Sequence, residues 1–241
     1  MIKIENTETY GWEAAIRGMR NPYESWNKSD SYYCTDCGCE NCRYDIEGDE
    51  KNCLADYSIG PNDHDLMMKL VTAGPAHSKF MRMITVTADI TLPLYWWKEM
   101  DTYKVGTVAN SCSTMHKIHA KEFTLEDFSC EHLDQDNYIL LKEIIARLNR
   151  YRNIFISGGI VEYPDGGRKV FKSKDKDILW KMIQLLPSSY NQRRTIQLNY
   201  QVLRNIYHAR RNHKLDRWRE FSRWIENLPY SELITGCYRN G

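Results

Sequence analysis

Asn199-Tyr200-Gln201-Val202-Leu203-Arg204-Asn205-Ile206-Tyr207-His208-Ala209-Arg210 has the apolar spacing of an amphipathic helix, and the sequence predicts a helix over 194–212. At about 100° per residue, Asn199, Leu203, Ile206 and Arg210 fall on one stripe. Two strongly polar residues therefore stand in line with two apolar ones. A buried Asn or Arg is costly unless its hydrogen-bonding groups are satisfied. The stripe is either a helix edge, with Arg210 reaching solvent along its apolar stem, or the wall of a ligand site. In the second case Asn199 and Arg210 stand roughly 16 Å apart along the axis, room for one large ligand or two adjacent ones.

Working outward, the sequence predicts a helix starting after Asn62 or Asp63 and running through Leu66, Met67, Leu70 and Val71 to Gly74. A strand follows over 80–90, then a helix opened by Pro93 through Trp96, Trp97 and Met100. A further helix covers 137–151, Pro164-Asp165-Gly166-Gly167 marks a turn, and helices fill 175–186 and 215–227. The pattern is α+β: a small antiparallel sheet packed with several helices. Residues 1–60 look irregular and carry a Cys-rich insert, leaving 61–241 as the main domain. The 241 residues include 16 Tyr and 7 Trp, which predicts an aromatic core. Net charge is +1, which by itself points to neither nucleic acid nor a membrane surface. That balance conceals an acidic stretch at 44–65 and a basic one at 193–223, from Arg193 to Arg223. No apolar run approaches the about 20 residues of a membrane span, and Met1-Ile2-Lys3-Ile4-Glu5 lacks the apolar core of a signal peptide. A cytoplasmic protein is expected, its eight Cys being reduced thiols or metal ligands.

Leu186-Pro187 followed by Asn199-x3-Leu203-x-Asn205-x4-Arg210 resembles the C-terminal segment of the flavin-dependent thymidylate synthases (ThyX). The resemblance implies that Asn199 and Asn205 contact FAD. It places Arg210 against the uracil of dUMP, favouring the ionised, nucleophilic form, a role that suits a planar guanidinium. A second block, Leu70-Val71-x2-Gly74 and then His77-Ser78-Lys79-Phe80 before a strand, is similar to the family's helix–Gly-His–Ser/Thr-x-Phe–strand. It implies Ser78 near the flavin and His77 on the folate side. The family's Arg-His-Arg, seven residues and Ser is met here by Asp101-Thr102-Tyr103, seven residues and Ser111; a two-residue shift instead matches Asn110 and Ser113. Tyr103 and Lys104 then fall on the cofactor side, and Lys98, Ser111 and Ser113 join Arg210 on the nucleotide side. The loop 104–116 holds one cation, Lys104, apart from its terminal His116, so the bidentate phosphate contacts of arginine are missing. Backbone amides and hydroxyls at Ser111-Cys112-Ser113 offer an alternative cradle.

The resemblance implies reductive transfer of a one-carbon unit from methylenetetrahydrofolate to C5 of dUMP. FAD would be the cofactor, NADPH the reductant, and the assembly a homotetramer with shared active sites. The altered loop keeps open a relative acting on another pyrimidine nucleotide, and one that binds a nucleotide without turnover. The basic stretch leaves a nucleic-acid-binding module as a third alternative, disfavoured by interleaved acids such as Asp216 and Glu220. Cys34, Cys37, Cys42 and Cys53 could close a tetrahedral Zn site; the alternative is a loop of reduced thiols.

Overall fold

The computed structural model describes residues 2–33 and 57–236. The elements are β1 (Lys3–Tyr10), α1 (Trp12–Arg20), β2 (Tyr32–Tyr33), β3 (Tyr57–Ser58), α2 (Pro61–Thr72), β4 (Thr85–Pro93), α3 (Leu94–Met100) and β5 (Thr107–Ser111). They continue with α4 (Gln135–Ser157), β6 (Gly159–Glu162), β7 (Arg168–Phe171), α5 (Lys176–Leu185), β8 (Asn191–Asn199), α6 (Tyr200–Arg210), α7 (Asp216–Glu226) and α8 (Glu232–Thr235). The fold is α+β as predicted, with a small sheet in the order β1-β4-β8-β5 and two separate antiparallel pairs, β2-β3 and β6-β7. Cys34, Cys37, Cys42 and Cys53 lie outside the described residues.

The chain divides into two compact units. The first comprises Met1–Ile90, Asp101–Asn110 and Thr195–Gly241; the second comprises Thr91–Met100 and Ser111–Arg194. Position 60, expected as a boundary, lies inside the first unit. The stretch expected to be irregular contains β1 and α1. Helix α1 buries Trp12, Ala15, Ile16 and Met19, the i, i+3, i+4, i+7 spacing of an apolar helical stripe.

The predicted helix 194–212 is corrected in the same way. Residues 191–199 form strand β8, and the helix begins only at Tyr200. Ile196 and Leu198 are buried while Arg193, Thr195 and Gln197 are exposed, the two-residue period of a strand. Strand β4 alternates as predicted, burying Val86, Ala88, Ile90 and Leu92, although it begins at Thr85 after a 3-10 turn at Lys79–Arg82.

Helix α2 starts at Pro61 rather than after Asn62 or Asp63, because its cap comes from elsewhere in the chain. Asp30 accepts from the amides of Asn62 and Asp63 at 2.9 and 3.1 Å. Asp63 is thereby free to turn inward. It is fully buried and takes Arg20 Nε at 2.5 Å on one oxygen. On the other it takes the hydroxyls of Ser29 and Ser31 and the amides of Asp30 and Ser31. Arg20 also donates to the carbonyl and hydroxyl of Ser25. The pair ties α1, the 25–31 loop and α2 together.

The second unit packs α4 against α5 and the β6-β7 hairpin around Phe123, Phe128, Leu148, Phe155, Ile178 and Met182. Asp134 and Asp175 cap α4 and α5 through first-turn amides. The predicted turn at 164–167 closes the hairpin, with Gly166 at φ +81°.

Burial alone pushes the Asp63 carboxyl up, but the hydroxyls of Ser31 and Ser29, the Arg20 guanidinium and the Asp30 amide outweigh it and hold it below the usual carboxylate range. A carboxyl lowered in the folded state contributes stability that is complete above its unfolded pKa and is lost as pH falls through the folded one. Asp63→Asn leaves Arg20 buried and unpaired, so it should cost about 3–5 kcal/mol at neutral pH. It should also flatten the acid limb of the stability profile, as measured by urea unfolding from neutral pH downward. An unchanged unfolding midpoint at neutral pH would refute the role of the pair.

Candidate functional site

Helix α6 builds the candidate site, and its placement begins at its N-terminus. Asn199 Oδ1 accepts from the Val202 amide at 3.0 Å, so the residue that ends β8 also caps α6. Tyr200, fully buried, fixes the junction through its amide, which donates to the Ile84 carbonyl at 3.0 Å. Its ring meets the edge of Trp12 at 5.2 Å between centroids. Leu203 and Ile206, completely buried, anchor the helix. Asn199 and Arg210 are half-buried and Asn205 is exposed.

Arg210 is neither buried among apolar groups nor loose in solvent. Its Nε donates to the Tyr103 hydroxyl at 3.0 Å, and the guanidinium lies 4.9 Å from the Trp218 ring centroid and 5.9 Å from that of Tyr103. Trp218 is fully buried on α7. A guanidinium against aromatic faces gains about 0.5–2 kcal/mol. More relevant to function, the contacts fix the plane of the group, and a fixed guanidinium plane suits recognition of a planar acceptor or a developing anion.

Near the helix N-terminus the 104–107 segment closes in on Asn199. Gly106 has φ +77°, and a Cβ there would stand 2.7 Å from Asn199 Nδ2 and 3.1 Å from Val202 Cγ2. Next to it, the buried hydroxyl of Thr107 has no hydrogen-bond partner among the described residues. A third cluster links two residues nominated from sequence: Ser78 Oγ donates to Gln201 Oε1 at 3.4 Å, and Gln201 Nε2 donates to Asn205 Oδ1 at 3.1 Å.

The first unit thus brings Tyr103 to Arg210, joins Ser78 to Asn205 through Gln201, and sets Asn199 beside Gly106. His77 is exposed, its amide donating to the Gly74 carbonyl, and Lys104 is exposed with its carbonyl accepting from Thr107. Lys98, Ser111 and Ser113 belong to the second unit. There Lys98 and Ser111 are exposed, while Ser113 Oγ accepts from the amides of Met115 and His116 and closes a local turn. Gly106, Thr107, Gln201 and Trp218 escape the sequence. A Gly directly before a Thr in a polar loop carries no period, and Gln201 differs from its neighbours only in being polar at a buried position.

The basic stretch is largely absorbed internally. Arg204 donates to the carbonyls of Leu233 and Ile234, Arg217 pairs with Glu220, and Arg219 pairs with Asp216. In the second unit Arg194 lies 4.3 Å from the Trp97 ring centroid. A cavity of about 220 Å³ opens at the start of α1, lined by Tyr10, Trp12, Glu13, Arg17, Tyr33 and Tyr57 among others, and includes none of the residues nominated from sequence. Among the described residues, no group of three or more His, Cys, Asp and Glu could hold a metal ion, and no helix is long and apolar enough to cross a membrane.

No protein-family model matches the chain, and no curated protein matches it. Solved structures do. The chain is similar to the flavin-dependent thymidylate synthase ThyX of Helicobacter pylori, crystallised in complex with FAD and dUMP, with a TM-score of 0.62 and 13% identity over 98% of this chain and 100% of that one. A second structure of thymidylate synthase X from the same organism, also with FAD and dUMP, gives a TM-score of 0.60 and 13% identity over 99% of this chain and 100% of that one. The fold is therefore that of the flavin-dependent thymidylate synthases.

Two substitutions check the geometry. Gly106→Ala places a side chain on a positive-φ residue against Asn199, and should lower stability by about 1 kcal/mol or more in denaturant unfolding. Asn199→Ala removes a helix cap, at about 1 kcal/mol. A Gly106→Ala protein as stable as the unaltered chain would show that the loop does not approach Asn199 this closely.

Proposed function

We propose that this chain is a flavin-dependent, thymidylate synthase-like enzyme that binds FAD along α6 and transfers a one-carbon unit from methylenetetrahydrofolate to C5 of dUMP. The observation that carries the proposal is Arg210, fixed by Tyr103 and Trp218 at the end of the helix whose N-terminus presents Asn199 and, six residues on, Asn205. Support for a polar ligand near the N-terminal end comes from the Gly106 approach and the Thr107 hydroxyl, which has no partner among the described residues. Asn199, Asn205 and the 104–107 segment would hold FAD, which when reduced by NADPH supplies the hydride. Arg210 would take the uracil edge: its donors lie in one plane and stabilise negative charge as the pyrimidine becomes a nucleophile. No side-chain nucleophile is required. The α6 face is open, with Asn205 exposed, which fits the expectation of a homotetramer in which a neighbouring subunit completes the site. A cytoplasmic location agrees with the free thiols of Cys112 and Cys130, and Cys34, Cys37, Cys42 and Cys53 remain the Zn ligands to test.

The 101–116 loop favours a second reading. Tyr103 stands where the resemblance expects an arginine and binds Arg210 instead of offering a second cation. Ser113 spends its hydroxyl on a local turn. A segment so short of cations holds a dianionic phosphate weakly, which suits nucleotide binding without turnover; the same altered segment is where a different pyrimidine base would be selected.

Purified protein should show flavin absorption, or acquire it on addition of FAD. Arg210→Ala should abolish dTMP formation while leaving flavin bound, and the unaltered gene should rescue a thymidine-requiring strain. Absence of flavin binding removes the enzyme assignment. Flavin binding without rescue, with another pyrimidine nucleotide consumed in its place, selects the second reading.

A further inference from the structure

Gln201 is singled out neither by the sequence pattern nor by the resemblance. It lies in the first turn of α6 and is 9% exposed. A buried amide must find a donor for its oxygen and an acceptor for its nitrogen. Gln201 finds them in two of the residues nominated for the flavin site: Ser78 Oγ donates to Oε1 at 3.4 Å, and Nε2 donates to Asn205 Oδ1 at 3.1 Å. The relay starts at a hydroxyl that is 3% exposed and ends at an exposed side chain one helical turn along.

An amide has one donor end and one acceptor end, so each link sets the direction of the next. Asn205 receives its bond on oxygen, and its NH2 is therefore the end left for a ligand. Reversing Gln201 would turn the Asn205 oxygen outward and take from the Ser78 hydroxyl the acceptor it has here. The outward group is thus a donor, and its natural partner is an acceptor oxygen, a carbonyl or phosphate oxygen of a nucleotide cofactor.

We propose that Gln201 is a positioning residue that sets the polarity of Asn205, so that α6 presents an amide donor to an acceptor oxygen of the bound flavin nucleotide. The proposal rests on the assignment of FAD made above. Glutamate at 201 accepts at both ends, so it would draw the Asn205 NH2 inward and turn the oxygen outward. Methionine at 201 removes both bonds and leaves Asn205 to adopt either orientation. Aspartate at 205 keeps the acceptor toward Gln201 but replaces the outward donor with an acceptor.

FAD titration followed by flavin fluorescence, with melting temperature measured in parallel, tests this on the full chain. Gln201→Glu and Asn205→Asp should each raise the Kd for FAD about tenfold, the equivalent of one lost hydrogen bond. Gln201→Met should raise it less, and the Gln201→Glu/Asn205→Asp double variant should bind little worse than either single one. A structural role alone would instead make the loss of affinity follow the loss of melting temperature. Should Gln201→Glu fail to fold, the comparison moves to Asn205→Asp, whose effect must shrink in the Gln201→Met background. An unaltered chain that binds FAD, paired with a folded Gln201→Glu of equal affinity or with additive losses, overturns this proposal alone. An unaltered chain that takes up no FAD overturns the proposed function and this proposal together.

Discussion

The junction between β8 and α6 holds the candidate site together. Strand and helix meet at Asn199-Tyr200 without an intervening loop, so no slack separates the sheet from the helix. Tyr200 is buried, its amide bonded to Ile84 and its hydroxyl to the Pro229 carbonyl. With that point fixed, helical geometry dictates where Gln201, Asn205 and Arg210 project. The remaining parts, Ser78 from the turn after α2 and Tyr103 from the segment before β5, only have to reach a rigid element. A site supported in this way keeps its side chains in register with little reorganisation on binding.

Stability is organised elsewhere in the first unit. A buried ion pair is expensive to desolvate, and Asp63 meets that cost with five hydrogen bonds spread over its two oxygens. Its partners come from α1 and from the 29–31 segment, so the pair orders a stretch that has few apolar residues of its own. The cap that Asp30 gives to α2 belongs to the same network. Helix α2 leads into Ser78, which is how this polar cluster bears on the site.

Much of the architecture was legible in the sequence wherever the pattern was local. Alternation identified β4, turn residues identified the 164–167 hairpin tip, α5 and α7 fall where helices were expected, and apolar spacing identified α4 as far as 151, six residues short of its end at Ser157. Helix α1 is equally readable from Trp12, Ala15, Ile16 and Met19, although it stands in a stretch whose composition otherwise looks irregular. Strand β8 was misassigned because Gln192-Arg193-Arg194-Thr195 precedes a strong helix and has high helical propensity in its arginines. Pairing within the sheet overrode that propensity, and only Ile196 and Leu198 betray the two-residue period.

The sequence by itself determined the α+β class, the spacing of Asn199, Asn205 and Arg210, and the absence of arginine from residues 101–116. These are properties of residue type and spacing along the chain, which need no knowledge of what packs against them. Tertiary structure decided that Tyr103 meets Arg210, that Trp218 backs the guanidinium, and that Gln201 joins Ser78 to Asn205. The Tyr103–Arg210 and Ser78–Gln201 bonds depend on segments more than a hundred residues apart in the chain coming within hydrogen-bond reach. Hydrogen bonds act over about 3 Å, and no local period encodes which distant residue will be there.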